Sequence, residues 1–119
     1  MSVTVKKNLI IQKPWGSEEI IFISKKYCVK KLILKNGEMC SYQYHNFKTE
    51  TITVLNGVLK LQIEKKKLNL KSGSSYTILP KIKHRMIAEK GDVIYIESST
   101  PELDDIIRLE DKYDRDNKY

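Results

Sequence analysis

Apolar and polar residues alternate along most of this chain. In Leu59-Lys60-Leu61-Gln62-Ile63-Glu64, three apolar side chains fall on one face and three polar ones on the other. That is the period-two signature of a half-buried strand. Runs of similar type lie at 18–23 (EEIIFI), 27–35 (YCVKKLILK), 51–55 (TITVL), 75–79 (SYTIL) and 92–97 (DVIYIE). Turn signals separate them: Lys35-Asn36-Gly37, Asn56-Gly57, a lysine hairpin tip at 65–67, Ser72-Gly73-Ser74 and Lys90-Gly91-Asp92. Asn56-Gly57 is the strongest, because both residue types accept the positive φ of a tight hairpin turn. Strands recurring about every 8–12 residues, with no long helical pattern before residue 102, predict an all-β sandwich or barrel. The segment PELDDIIRLEDKY, from Pro101, predicts one or two short helical turns, with Leu103, Ile106, Ile107 and Tyr113 docking on the barrel.

Length adds one constraint. The 119 residues are read as a single domain, the barrel spanning about 13–100 and an acidic tail 101–119. No apolar run approaches the roughly 18 residues of a membrane span, and MSVTVKKNLI has no signal-peptide core. Cys28 and Cys40 lack metal or redox spacing and read as reduced, buried thiols in a cytoplasmic protein. The net charge of +7 is uneven: residues 1–101 carry 18 Lys/Arg against 8 Asp/Glu, and 102–119 carry 4 against 7. Of the 22 basic residues, only Arg85, Arg108 and Arg115 are arginine, the residue best suited to base and phosphate forks. A dispersed lysine surface of this kind argues against nucleic-acid recognition and suits a small anion such as a sugar phosphate.

Metal-ligating residue types collect on this framework. Gln43 and His45 are two apart, so on a strand both leave the same face. Glu50 opens the next strand after a short connection, and His84 follows the turn Pro80-Lys81-Ile82-Lys83. Inward groups of a closed small barrel converge, and mixed N and O donors suit a divalent ion of the zinc, manganese, iron or nickel kind.

Spacing sharpens the pattern. Gly37, Gln43, His45, Glu50 and Gly57 stand in the order and separation of the first motif of the cupin superfamily, with Gln for its first His. Gly73, Leu79, Lys81 and His84 follow the second motif, with Leu79 and Lys81 replacing its usual Pro and Gly. PWGSEE at 14–19, SYQYH at 41–45 and DDIIRLEDKYDR at 104–115 narrow this further. They resemble the mannose-6-phosphate isomerase type II cupins, a family that includes the C-terminal domain of bifunctional mannose-1-phosphate guanylyltransferases and stand-alone members. The resemblance covers roughly residues 13–115.

It implies a double-stranded β-helix (jelly-roll) fold, a metal-ligand quartet of Gln43, His45, Glu50 and His84, a divalent metal with zinc first, and a homodimer. The bifunctional members continue the first motif as H-x-H-R-x-E-H-W. Here Phe47 replaces the second His, Lys48 the Arg, and Ile52 the Trp. Isomerising an aldose phosphate needs an electrophile for oxyanion charge, a base beside the carbon acid, and cations for the phosphate. Lys48 and Arg85 are the candidates for the cationic role, and Glu97 for the base if it faces the cavity. Arg85 could instead pair with Asp104 or Asp105. Three functions stay open: a metal-dependent sugar-phosphate isomerase, a non-catalytic sugar or nucleotide-sugar binder, which Phe47 and Ile52 favour over the isomerase by making the pocket mouth more apolar, and an assembly module.

Overall fold

The computed structural model describes Val5 and residues 7–114, and these form eleven strands. They are β1 Leu9–Lys13, β2 Gly16–Ile23, β3 Cys28–Leu34, β4 Tyr42–Tyr44, β5 Glu50–Asn56, β6 Leu59–Ile63, β7 Lys66–Leu70, β8 Ser75–Ile78, β9 His84–Ile87, β10 Val93–Ser99 and β11 Ile107–Glu110. One antiparallel sheet runs β1-β2-β3-β10-β5-β8, and the other β11-β4-β9-β6-β7. Among the described residues there is no helix, hence none long and apolar enough to cross a membrane.

Alternation builds the core directly. In β3 the side chains of Cys28, Lys30, Leu32 and Leu34 point inward, and in β10 those of Val93, Tyr95, Glu97 and Ser99 do so. With Ile52, Val54, Leu59, Leu61 and Met86 these strands enclose one apolar core between the sheets. Leu32, Tyr95 and Val54 stand in one cross-strand row, so the bulk of the apolar layer is a single continuous patch. Trp15 closes one end at 5% exposure. Gly16 beside it has no room for a side chain, since a Cβ there would stand 1.8 Å from the Ile33 carbonyl oxygen.

Three local expectations are corrected. The C-terminal segment is not helical: after turns at 101–104 it becomes β11, paired antiparallel with β4. One or two isolated helical turns are marginal in water. The strand instead satisfies the open edge of β4 while Ile106 and Arg108 point inward. Asn56-Gly57 is not a hairpin, because β5 and β6 belong to different sheets. Gly57 alone takes positive φ (87°), where the chain crosses between sheets so close to Asp92 that a Cβ would meet its carbonyl oxygen at 2.5 Å. The lysine hairpin exists as β6–β7, but Glu64 and Lys65 form its tip, and Lys66 and Lys67 already pair with Ile63 and Gln62.

Candidate metal centre

The chain crosses from the smaller to the larger sheet at 45–49, and that crossing assembles the site. His45 follows β4 directly, Glu50 opens β5, and His84 opens β9 opposite Gln43. All three of His45, Glu50 and His84 are buried, and their donor atoms lie within 4.8 Å of one another. His84 Nε2 is 3.1 Å and His45 Nε2 3.7 Å from Glu50 Oε1.

Backbone carbonyls set the imidazoles. His45 Nδ1 meets the Asp105 carbonyl at 2.5 Å, and His84 Nδ1 meets that of Ile82 at 2.9 Å. Each contact suits an Nδ1–H donor, which leaves Nε2 of both rings turned toward Glu50 with its lone pair. Neither Nε2, nor either Glu50 oxygen, has an aligned hydrogen-bond partner, although all four atoms are buried. Buried polar atoms are seldom left so. Two rings held through Nδ1 with Nε2 convergent on a carboxylate is the arrangement that orients histidines for a metal, so the residues present fit a divalent ion. Gln43 lines the same cavity, its Oε1 accepting from Ser41 Oγ.

The loop between His45 and Glu50 is held from the tail. The Asp105 carboxylate accepts the backbone N–H groups of Asn46, Phe47 and Lys48 at 2.8, 2.6 and 2.9 Å. Burial would raise its pKa, but these three donors outweigh burial and lower it. Near His84 the turn also supplies strain. Lys81, where the cupin motif usually has Gly, takes φ 69° and donates its N–H to the His45 carbonyl at 2.6 Å.

Lys48 is buried, not a solvated loop lysine. Its Nζ lies 3.3 Å from Glu50 Oε2 and 3.3 Å from Glu97 Oε2. Burial opposes its charge, yet Glu97 and Glu50 outweigh burial and hold the ammonium above its ordinary range. For Glu50, burial acts upward and is overcome by Lys48 and then by the histidines, so the carboxyl is held well below its usual range. Burial disfavours charge on His84 as well, but Glu50 prevails and raises its pKa.

Glu97 faces this cavity, with Lys30 directly opposite it across the β3–β10 ladder. Arg85 does not. It alternates with His84, so it leaves the outer face, donating from Nε to the Cys40 carbonyl and from Nη2 to the Glu110 carbonyl, both at 2.9 Å. Its acidic neighbour is Glu110, at 3.6 Å, rather than Asp104 or Asp105. Phe47 is 73% exposed and Ile52 is fully buried in the core, and neither lines the cavity, so the apolar pocket mouth is not formed.

Sequence reasoning missed Glu18, Lys30, Tyr95 and Arg108, which all line the cavity. Lys30 and Glu18 are buried and paired at 3.2 Å. Tyr95 is fully buried with its hydroxyl 3.9 Å from Cys40 Sγ. The signal was phase: Lys30 shares a face with Leu32 and Leu34, and Tyr95 shares one with Val93 and Glu97. The cavity is partly open to solvent rather than sealed.

Two antiparallel sheets wound in this order around a buried His-Glu-His group define a cupin. Residues 3–111 match the family described as Mannose-6-phosphate isomerase C-terminal, and the chain belongs to that family. It is 30% identical over 114 residues to mannose-1-phosphate guanylyltransferase ManC of Salmonella typhimurium, covering 88% of this chain but only 23% of that protein. In fold it is similar to the capsular polysaccharide assembling protein CapF of Staphylococcus aureus (TM-score 0.80, 17% identity, 89% of this chain and 35% of that one). It is also similar to an RmlC-like cupin of Shewanella frigidimarina (TM-score 0.71, 16% identity, 79% and 84%).

Proposed function

We propose that this chain is a metal-dependent, carbohydrate-modifying cupin that isomerises a sugar phosphate between aldose and ketose forms. The observation that carries this reading is the convergence of His45, Glu50 and His84, with orphaned donor atoms, beside the buried Lys48–Glu97 pair. Gln43 is the fourth proposed ligand, and zinc the first metal to test, with manganese, iron and nickel behind it. A divalent ion held there would supply Lewis-acid polarisation of the sugar's carbonyl and hydroxyl oxygens. Glu97 is the carboxylate proposed to take the proton from C2 of the aldose and return it to C1, while the hydroxyl proton of O2 passes to O1, so that the C1 aldehyde becomes an alcohol and the C2 alcohol a ketone. Lys48, kept cationic by Glu50 and Glu97, would balance the negative charge that develops on the enediol oxygens.

The same reading carries a cytoplasmic homodimer. Cys28 and Cys40 are buried free thiols, which favours a reducing compartment. Exposed Leu9, Ile10, Phe22 and Ile23 on neighbouring β1 and β2 favour pairing with a second copy.

One observation favours a second reading, a non-catalytic sugar or nucleotide-sugar binder. Glu97 Oε2 is already engaged by Lys48 at 3.3 Å, so that oxygen is not open to a substrate proton. A coupled assay interconverting mannose 6-phosphate and fructose 6-phosphate separates the two, alongside metal analysis of wild type and His84→Ala. Turnover by wild type, with loss of both metal and activity in His84→Ala, is the expected result. Equal metal content in the two proteins would overturn the ligand assignment. An inactive, metal-loaded wild type that still binds sugar phosphate saturably would establish the binder instead.

A further inference from the structure

The C-terminal motif DDIIR contributes three different things to the site. Asp105 holds the loop that carries Lys48, Ile106 covers the interior, and Arg108 lines the cavity. Register explains the last. Arg108 stands opposite Gln43 across β11–β4, and Gln43 stands opposite His84 across β4–β9. Residues opposite one another in antiparallel ladders share a face, so Arg108, Gln43 and His84 form one row along the inner wall of the smaller sheet. Two interstrand spacings, roughly 10 Å, separate the ends of that row. Arg85 is one residue out of phase with His84 and is turned outward.

Charge points the same way. The cavity is lined by Lys13, Lys30, Lys48 and Arg108 against Glu18 and Glu97. Counting Glu50, four cations face three carboxylates among the described residues, and a bound divalent ion would bring the excess to three. Arginine differs from these lysines in kind, because its planar fork matches a phosphoryl group with two parallel hydrogen bonds.

We propose that Arg108 is the anion anchor of this site, binding the phosphoryl group of the substrate while the sugar's reacting end lies at His45, Glu50 and His84. This rests on the sugar-phosphate reading above and adds the residue that would hold the phosphoryl group, remote from the reacting carbons. An open-chain six-carbon sugar phosphate laid along the row puts its phosphate at Arg108 and its C1–C2 end at His84. The diphosphate of a nucleotide sugar offers the same chemistry from a different source.

Calorimetric titration of the metal-loaded full chain tests this with mannose 6-phosphate, mannose, GDP-mannose and inorganic phosphate. Wild type is expected to bind mannose 6-phosphate at least tenfold more tightly than mannose. Arg108→Gln is expected to abolish that difference with its metal content unchanged, and Arg108→Lys to recover part of it. Arg85→Gln is expected to leave the preference intact. Tighter binding of GDP-mannose than of mannose 6-phosphate, equally sensitive to Arg108→Gln, would assign the anchor to a diphosphate. Affinity of Arg108→Gln for mannose 6-phosphate within twofold of wild type overturns the proposal and leaves the sugar-phosphate reading standing, whereas a wild type indifferent to the phosphate overturns both. If no sugar binds at all, that reading fails, and inorganic phosphate alone decides Arg108: binding lost in Arg108→Gln supports the anchor, and no binding to wild type removes it.

Discussion

Lys81 and Lys30 are single residues whose chemistry runs against their positions. Lys81 holds φ 69° in a turn that presents His84, and left-handed backbone costs a residue with a Cβ roughly 1–2 kcal/mol. Glycine removes that cost but frees the unfolded chain, so Lys81→Gly should stabilise by about 0.5–1 kcal/mol. The check is the urea midpoint at unchanged m-value; a lowered midpoint would mean that the lysine side chain contributes something the backbone does not reveal. Lys30 is 1% exposed and paired with Glu18. Removing one partner strands a buried charge, so Lys30→Met should cost roughly 3–5 kcal/mol. Adding Glu18→Leu should bring stability back to within about 1 kcal/mol of wild type, because the double change removes both members of the pair. Failure of the double variant to recover would show that Lys30 answers chiefly to Glu97, opposite it in the β3–β10 ladder.

At the scale of elements, the C-terminal segment behaves as part of the site wall. Beyond β11, Lys112 Nζ lies 2.5 Å from Glu38 Oε1, and the Tyr113 hydroxyl donates to the same oxygen at 2.7 Å. Those two donors lower the pKa of Glu38 below its ordinary 4.5. For Tyr113, burial first and then Glu38 raise the phenol from 10.0 to about 12. The signs follow from linkage. A depressed carboxyl contributes fully above 4.5 and loses its contribution as pH falls through the lower folded value. A raised phenol contributes fully below 10 and loses its contribution as pH climbs toward 12. Docking of residues 111–114 should therefore be constant from about pH 5 to pH 10 and weaken outside that window, read by limited proteolysis against pH. Glu38→Gln should remove the acid limb, and an acid limb that persisted in this variant would place the sensing group elsewhere.

For the whole molecule, the two sheets meet over an interior that is apolar at one end and ionic at the other. His45, Lys48, Glu50, His84 and Glu97 are all buried there. Such a cluster is costly without an ion to compensate its donor atoms. Loading the chain with a divalent metal should raise its thermal midpoint, by linkage worth about 2.7 kcal/mol at a hundredfold excess over Kd. Chelation should reverse the gain, and His84→Ala should show neither shift. An equal rise in His84→Ala would locate the metal outside this group.

Much of this architecture was legible in the chain. Alternation in 59–63 and in the runs around β3, β5, β8 and β10 marks strands because apolar side chains at every second position can be buried only on a pleated surface. The motif spacing brought Gln43, His45, Glu50 and His84 to notice before any geometry. Other features had no local signature. The segment 101–113 can hold helical turns or a strand, and only the open edge of β4 decides between them. Asn56-Gly57 carries hairpin chemistry, yet the partition of β5 and β6 between sheets turns it into a crossing. Arg85 sits beside His84 in sequence and faces away from it in space, whereas Arg108, 24 residues further on, shares its row. The sequence by itself determined which residues alternate and which could ligate. Cross-strand register, a property of paired chains and not of any one segment, decided which charged side chains share the cavity.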